Sequence, residues 1–213
     1  MFEKIIRIGY VYCNTGYSLS YNLICIISLK IHVIAYDAQW AVLFDSECRR
    51  LTKLWPDKTL SIEHIGSTAV PGLAAKPVVD ILIGTDDMIE LQAMVSKLTD
   101  ADYRYIPEYE KYIPERRFFI RPKNNVEEKS INWNPDYGAR DHLFHIHAAV
   151  RTSPFWGRHI TFRDVLRRDK ALRDAYADLK NKLSENVPED KNTYAQGKFE
   201  FIQAVGKKLG VQV

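Results

Sequence analysis

The stretch "IEHIGSTAVPGLAAKPVVDILI", residues 62–83, decides how this chain is read. Its first residues alternate apolar and polar side chains as a half-buried strand does, and "GSTAVPGLAAKP" then supplies a Gly- and Pro-rich turn. "VVDILIG" follows as a continuous apolar run with one acid inside it. Such a run reads as a strand buried on both faces, where a carboxylate is costly unless it is partnered. Asp80 is therefore the first functional candidate.

Outward from this core, Trp40, Phe44, Cys48, Leu51 and Trp55 recur at helical spacing, with Asp37 placed to cap the helix. Residues 87–99 form a second helical pattern. "DYRYIP", "RRFFIRP" and "LFHIHAAV" are further strand candidates, and the last two are separated by a long polar stretch. After Ser153-Pro154 the chain reads as three helices, over residues 156–169, 171–185 and 194–209, with Thr193 and Gln196 spaced as a capping box for the last. This order gives an α+β fold, a mixed sheet flanked by helices with a C-terminal helical tail.

The 213 residues suffice for one domain with a sizeable core, here 31–213, preceded by an N-terminal extension over 1–30. The apolar run in that extension is too short to span a bilayer, for which about 20 residues are needed. A net charge of +3 admits an anionic ligand but gives no strong nucleic-acid signal. Three cysteines without a CxxC pair support neither a disulfide framework nor a zinc cluster, and fit a reducing cytoplasm. No membrane association is expected. Oligomeric state cannot be read from the sequence.

Taken in order, "YDAQWAVLF", "IEHIGSTAVPGLAAKPVVDI", "HIHAAV", "HITFRDVLRRD", "YADLKNKL" and "YAQGKFEFI" make the sequence resemble the GrpB family from Ile31 onward. The resemblance implies a fold of the nucleotidyltransferase superfamily. It also implies a site in which a Gly-Ser turn holds phosphate and acids on the next strand hold a divalent metal. Gly66, Ser67 and Asp80 match that pattern. Residues i and i+2 of a strand share a side, but here the second acid is replaced by Leu82, which cannot ligate magnesium.

The resemblance also implies an acid on a later neighbouring strand, and two histidines are expected at the comparable position. His145 and His147, also at i and i+2, would complete a two-histidine, one-carboxylate set with Asp80, suited to zinc or another transition metal, or to proton transfer near neutral pH. A hydrogen-bonded network around a buried acid fits the same residues. Glu63 and His64, on opposite faces of their strand, are candidates for catalysis or for closing the turn. Lys76 is a candidate phosphate partner, as are Arg117 and Arg121, which are in phase and expected on the cleft of Asp80. The basic residues of the tail helices, Arg158 and Arg163 among them, are expected on a solvated face.

Three functions follow. The first is a nucleotidyltransferase-like enzyme acting on a nucleotide or other phosphorylated small molecule with magnesium, manganese or zinc. The second is a non-catalytic ligand-binding or partner module, since the resembling domain also occurs fused to dephospho-coenzyme A kinase. The third is a metal-dependent enzyme built on Asp80, His145 and His147.

Overall fold

The computed structural model describes residues 33–122, 142–186 and 191–210. The N-terminal extension and the polar stretch before His142 lie outside the described residues. The chain runs through α1 (Gln39–Lys53), β1 (Ser61–Ile65), β2 (Val79–Thr85), α2 (Met88–Asp100), β3 (Arg104–Tyr105), β4 (Arg116–Pro122), β5 (His142–Val150), α3 (Pro154–Arg168), α4 (Lys170–Asn186) and α5 (Lys191–Leu209). The strands form one sheet in the order β1-β2-β5-β4-β3. Only β2 and β5 pair in parallel, and the other neighbours are antiparallel, so the sheet is mixed as expected.

Local signals set the helix ends. Asp87 caps α2 by accepting from the Glu90 amide at 2.8 Å, and Ser153 caps α3, whose first residue is Pro154. Asp37 accepts from the Gln39 amide at 2.8 Å at the start of α1. The capping box was expected to start the last helix at Thr193, but the helix starts two residues earlier. The last helix begins at Lys191, which places Thr193 inside its first turn.

The period-2 alternation of the strands sends their side chains to two different environments. Val79, Ile81, Ile83, Phe144, Ile146 and Phe119 face α1 and α2, where Trp40, Leu51, Leu91, Met94 and Leu98 complete the main core. Asp80 and Leu82 on β2, His145, His147 and Ala149 on β5, and Arg116 and Phe118 on β4 face the other way. Their common side follows from the register, which aligns Asp80 with His145, Leu82 with His147, Phe118 with His147 and Arg116 with Ala149. On this side Ile65, Leu82, Ala149 and Phe155 of α3 form a smaller apolar cluster. A third cluster, centred on Val70, Leu73, Leu166 and Tyr176, joins the β1–β2 connection to α3 and α4. Among the described residues no helix is long and apolar enough to cross a membrane.

Candidate functional site

The β1–β2 connection supplies the first wall of the site. Gly66 has φ 70° and ψ −169°, a left-handed conformation that disfavours side chains, and an added Cβ would lie 2.4 Å from Oδ2 of Asp80. Only glycine lets the turn close on the carboxylate. Ser67 opens the 3-10 turn that follows, over Ser67–Ala69.

Asp80 is held by the histidines of β5. His145 Nδ1 donates to Asp80 Oδ1 at 2.9 Å, and His147 Nε2 lies 3.6 Å from the same oxygen. Burial alone would raise the Asp80 pKa, but these two partners more than reverse it and hold the carboxyl far below its usual range. Burial takes His147 the other way, down to about 4, against the pull of Asp80. A neutral His147 fits its surroundings. Arg116 Nη1 lies 3.4 Å from its Nδ1 and can only donate, so Nδ1 is the acceptor and the ring proton sits on Nε2, towards Asp80. His142 extends the chain, with its Nε2 3.0 Å from His145 Nε2.

Beside this group lies a cavity of about 350 Å³ between the sheet and helices α3, α4 and α5. Gly66, Ser67, Asp80 and His147 line its floor, while Phe155, Phe162, Tyr176, Phe199 and Ile202 form an aromatic and aliphatic wall. Four cations also line it: Arg116, Arg158, Arg163 and Lys198. Arg163 is committed elsewhere, donating to Glu63 at 2.6 Å, to the His64 carbonyl at 3.0 Å and to Asp164 at 2.8 Å. The other three differ. Among the described residues neither Arg116, Arg158 nor Lys198 makes a salt bridge, and Arg116 Nε is buried without a hydrogen-bond partner. Their polar surroundings are poor: Arg116 stacks on Phe118 at 5.0 Å, Arg158 on Phe155 at 5.1 Å and Lys198 on Tyr194 at 4.8 Å. Burial lowers the pKa of all three, partly opposed from beyond ion-pair distance by Tyr109, Glu115 and Glu110 at Arg116, by Glu115 at Arg158 and by Asp80 at Lys198.

Several expected residues lie elsewhere. Arg117 and Arg121 are in phase with each other, but they face α1 and α2, away from Asp80. Arg121 pairs there with buried Glu47, and Arg117 donates to Gln92 at 3.2 Å and pairs with Glu110 at 3.3 Å. The register of β4 on β5 puts Arg116, not its neighbour, on the cleft. His64 also faces away; it stacks on Phe44 at 4.7 Å and has Nε2 3.1 Å from the Thr68 hydroxyl. Glu63 shares the face of Asp80 but is engaged by Arg163. Lys76 has its ammonium 4.4 Å from the Tyr194 ring centre and does not line the cavity. The tail-helix arginines Arg158 and Arg163, expected in solvent, line it instead. One signal for them was present: Phe155, Arg158, His159, Phe162 and Arg163 recur at three- and four-residue spacing, an aromatic and basic stripe on one helix face.

Asp80, His145 and His147 present ligand atoms within 4.8 Å of one another. Two imidazole nitrogens and one carboxylate oxygen suit zinc or another transition ion. They do not suit magnesium, which needs oxygen ligands, and Leu82 is fully buried among apolar side chains where a second acid would stand.

Comparison with known proteins places this geometry in context. Residues 30–208 match the family model described as GrpB protein. The chain is 34% identical over 174 residues to the UPF0157 protein YqkA of Bacillus subtilis (strain 168), covering 82% of this chain but only 46% of that relative's length. It is 33% identical over 179 residues to the UPF0157 protein BH1888 of Halalkalibacterium halodurans, covering 84% of this chain and 82% of the relative. A crystal structure of the conserved protein GrpB from Enterococcus faecalis superposes with a TM-score of 0.65 at 24% identity, covering 84% of this chain and 99% of that one.

Proposed function

The chain belongs to the GrpB family, and from that premise and the charge of its cavity we propose that it binds a nucleotide or other phosphorylated small molecule as a nucleotidyltransferase-like protein of the cytoplasm. One observation carries the reading. Arg116, Arg158 and Lys198 converge on a cavity without carboxylate partners among the described residues, beside a Gly-Ser turn. Of the three, Arg116 is buried and the other two are partly exposed, so charge without a carboxylate partner is most costly at Arg116, and a bound polyanion offsets that cost. The strand-turn-strand layout of Gly66, Ser67 and Asp80 supports the superfamily assignment, although Leu82 departs from it.

In this reading the three cations and Ser67 hold phosphate oxygens, and the aromatic wall of Phe162 and Phe199 receives the organic part of the ligand. Asp80 is a poor proton acceptor, because its pKa lies far below neutrality. It serves instead as a fixed negative charge that orients His145 and His147. A second reading rests on the proximity of their ligand atoms. Zinc or manganese held by Asp80, His145 and His147 would polarise a phosphoryl oxygen as a Lewis acid.

The test is a thermal-shift screen of nucleotides and simple phosphates, with and without magnesium, manganese and zinc, followed by calorimetry. A ligand at one hundred times its Kd adds about 2.7 kcal/mol of stability. Stabilisation by phosphorylated compounds and not by nucleosides is expected. No stabilisation by any of them would contradict the proposal, and binding without turnover would favour the non-catalytic module.

A further inference from the structure

His159, in the middle of α3, lines the same cavity and has no part in the binding just described. Its Nδ1 lies 2.7 Å from the carbonyl oxygen of Phe155, one helical turn back. A carbonyl only accepts, so the ring hydrogen is on Nδ1, and in the neutral imidazole the lone pair of Nε2 is bare. Fixing Nδ1 on the helix's own backbone turns Nε2 away from that backbone. Among the described residues Nε2 has no hydrogen-bond partner. The contrast with His147 is direct, because both nitrogens of that ring face partners, Asp80 and Arg116. The two rings lie 6.3 Å apart, and His159 packs on Phe155 at 4.0 Å, which fixes the plane of its ring.

An oriented, unprotonated imidazole nitrogen in a cavity lined by three unpaired cations is a nucleophile placed where phosphorus would be held. We propose that His159 Nε2 accepts the phosphoryl group of the bound ligand and forms a phosphohistidine. The proposal rests on the reading of this cavity as a phosphate-ligand site. In the step, the Nε2 lone pair forms the bond to phosphorus, and the bond from phosphorus to the leaving group breaks, its electron pair departing with that group. No proton has to leave Nε2. The proton stays on Nδ1, hydrogen-bonded to the Phe155 carbonyl, so the ring becomes cationic, and that keeps the phosphoryl group transferable to a second acceptor. Arg116, Arg158 and Lys198 supply positive charge to the oxygens as the bond forms.

The test uses the full chain and phosphoramidate, a small phosphoryl donor whose leaving group is ammonia. Intact-mass spectrometry should show the gain of one phosphoryl group, lost in acid and retained in alkali, and peptide fragmentation should map it to His159. Labelling should fall at least about tenfold in His159→Asn and persist in His64→Asn. Label on another residue, or undiminished label in His159→Asn, overturns the proposal. Should His159→Asn fail to fold, mapping on the wild-type chain decides, together with the nitrogen-15 spectrum of His159. Hydrogen on Nδ1 is expected there, and hydrogen on Nε2 overturns the proposal. Thermal protection by phosphoramidate separates the two levels of the argument. Protection without label sinks the nucleophile and leaves the phosphate site standing, whereas neither protection nor label sinks both.

Discussion

Strand β4 sends Arg121 and Arg117 to one face of the sheet and Arg116 to the other, and the two faces treat these buried charges differently. Under α1, Arg121 meets Glu47, whose other carboxylate oxygen accepts from the Tyr103 hydroxyl. Burial raises the Glu47 pKa, and Arg121 and Tyr103 work against that rise. Arg117 is likewise surrounded by acceptors: Gln92, the Pro114 carbonyl and Glu110. Across the sheet Arg116 meets rings and a neutral histidine, with Arg158 and Lys198 near the same cavity and no carboxylate bound to any of the three among the described residues. A buried charge closed by its own partners belongs to the fold. A buried charge left open points to something that comes from outside.

Acid should produce the largest effect, because it acts on both faces. Burial holds His64 on the α1 face, and His147 and His159 on the cavity face, down near 4. The ordinary histidine value is about 6.5, so the unfolded chain takes up these protons first. Their contribution to stability is whole above about pH 6.5 and is lost as the pH falls through about 4, at about 1.4 kcal/mol per pH unit for each proton. Urea unfolding at a series of pH values measures it, and phosphate-ligand binding should flatten the fall if the ligand contacts the cavity histidines. Next in size is Glu47→Ala, which removes the buried carboxylate that pairs with Arg121 and should cost about 3–5 kcal/mol in urea unfolding while leaving ligand affinity unchanged. Equal losses of stability and affinity would mean that the two faces are not separable.

Gly66→Ala breaks the other face. Its Cβ would meet the Asp80 carboxylate in a backbone conformation that costs about 1–3 kcal/mol for a residue with a side chain, so both stability and affinity should fall. The smallest effect is expected away from both faces. Lys170 and Asp174 form an exposed i,i+4 pair, and Lys170→Ala should change stability by about 0.3–0.5 kcal/mol with no effect on binding.

The order of helices and strands was legible because hydrophobic period distinguishes them, and the apolar run around Asp80 correctly gave a strand covered on both faces. Face assignment was less legible. Alternation correctly puts Arg117 and Arg121 in phase, but which phase meets the cleft depends on the register of β4 against β5, and no local pattern encodes that pairing. Asp80, His145 and His147 were found as a group because they sit at i and i+2 on strands whose neighbourhood the acid itself suggested. Lys198, Arg158 and His159 were missed for a different reason. A basic residue on an amphipathic helix is solvated by default, and only the packing of α3 and α5 over the sheet turns these three inward. Glu47 was hidden in the same way, as a polar residue on the buried stripe of α1.

The most direct measurement is calorimetric affinity for a phosphorylated ligand in Arg158→Ala beside the wild-type chain, with unfolding free energy measured on the same samples. Arg158 has no partner to strand, so stability should stay within about 0.5 kcal/mol. Loss of a charge-assisted contact of about 1.5–3 kcal/mol should weaken the ligand by about 10- to 100-fold. Unchanged affinity, or a loss of stability as large as the loss of affinity, would contradict the claim that the open charges of this cavity are there for a phosphate.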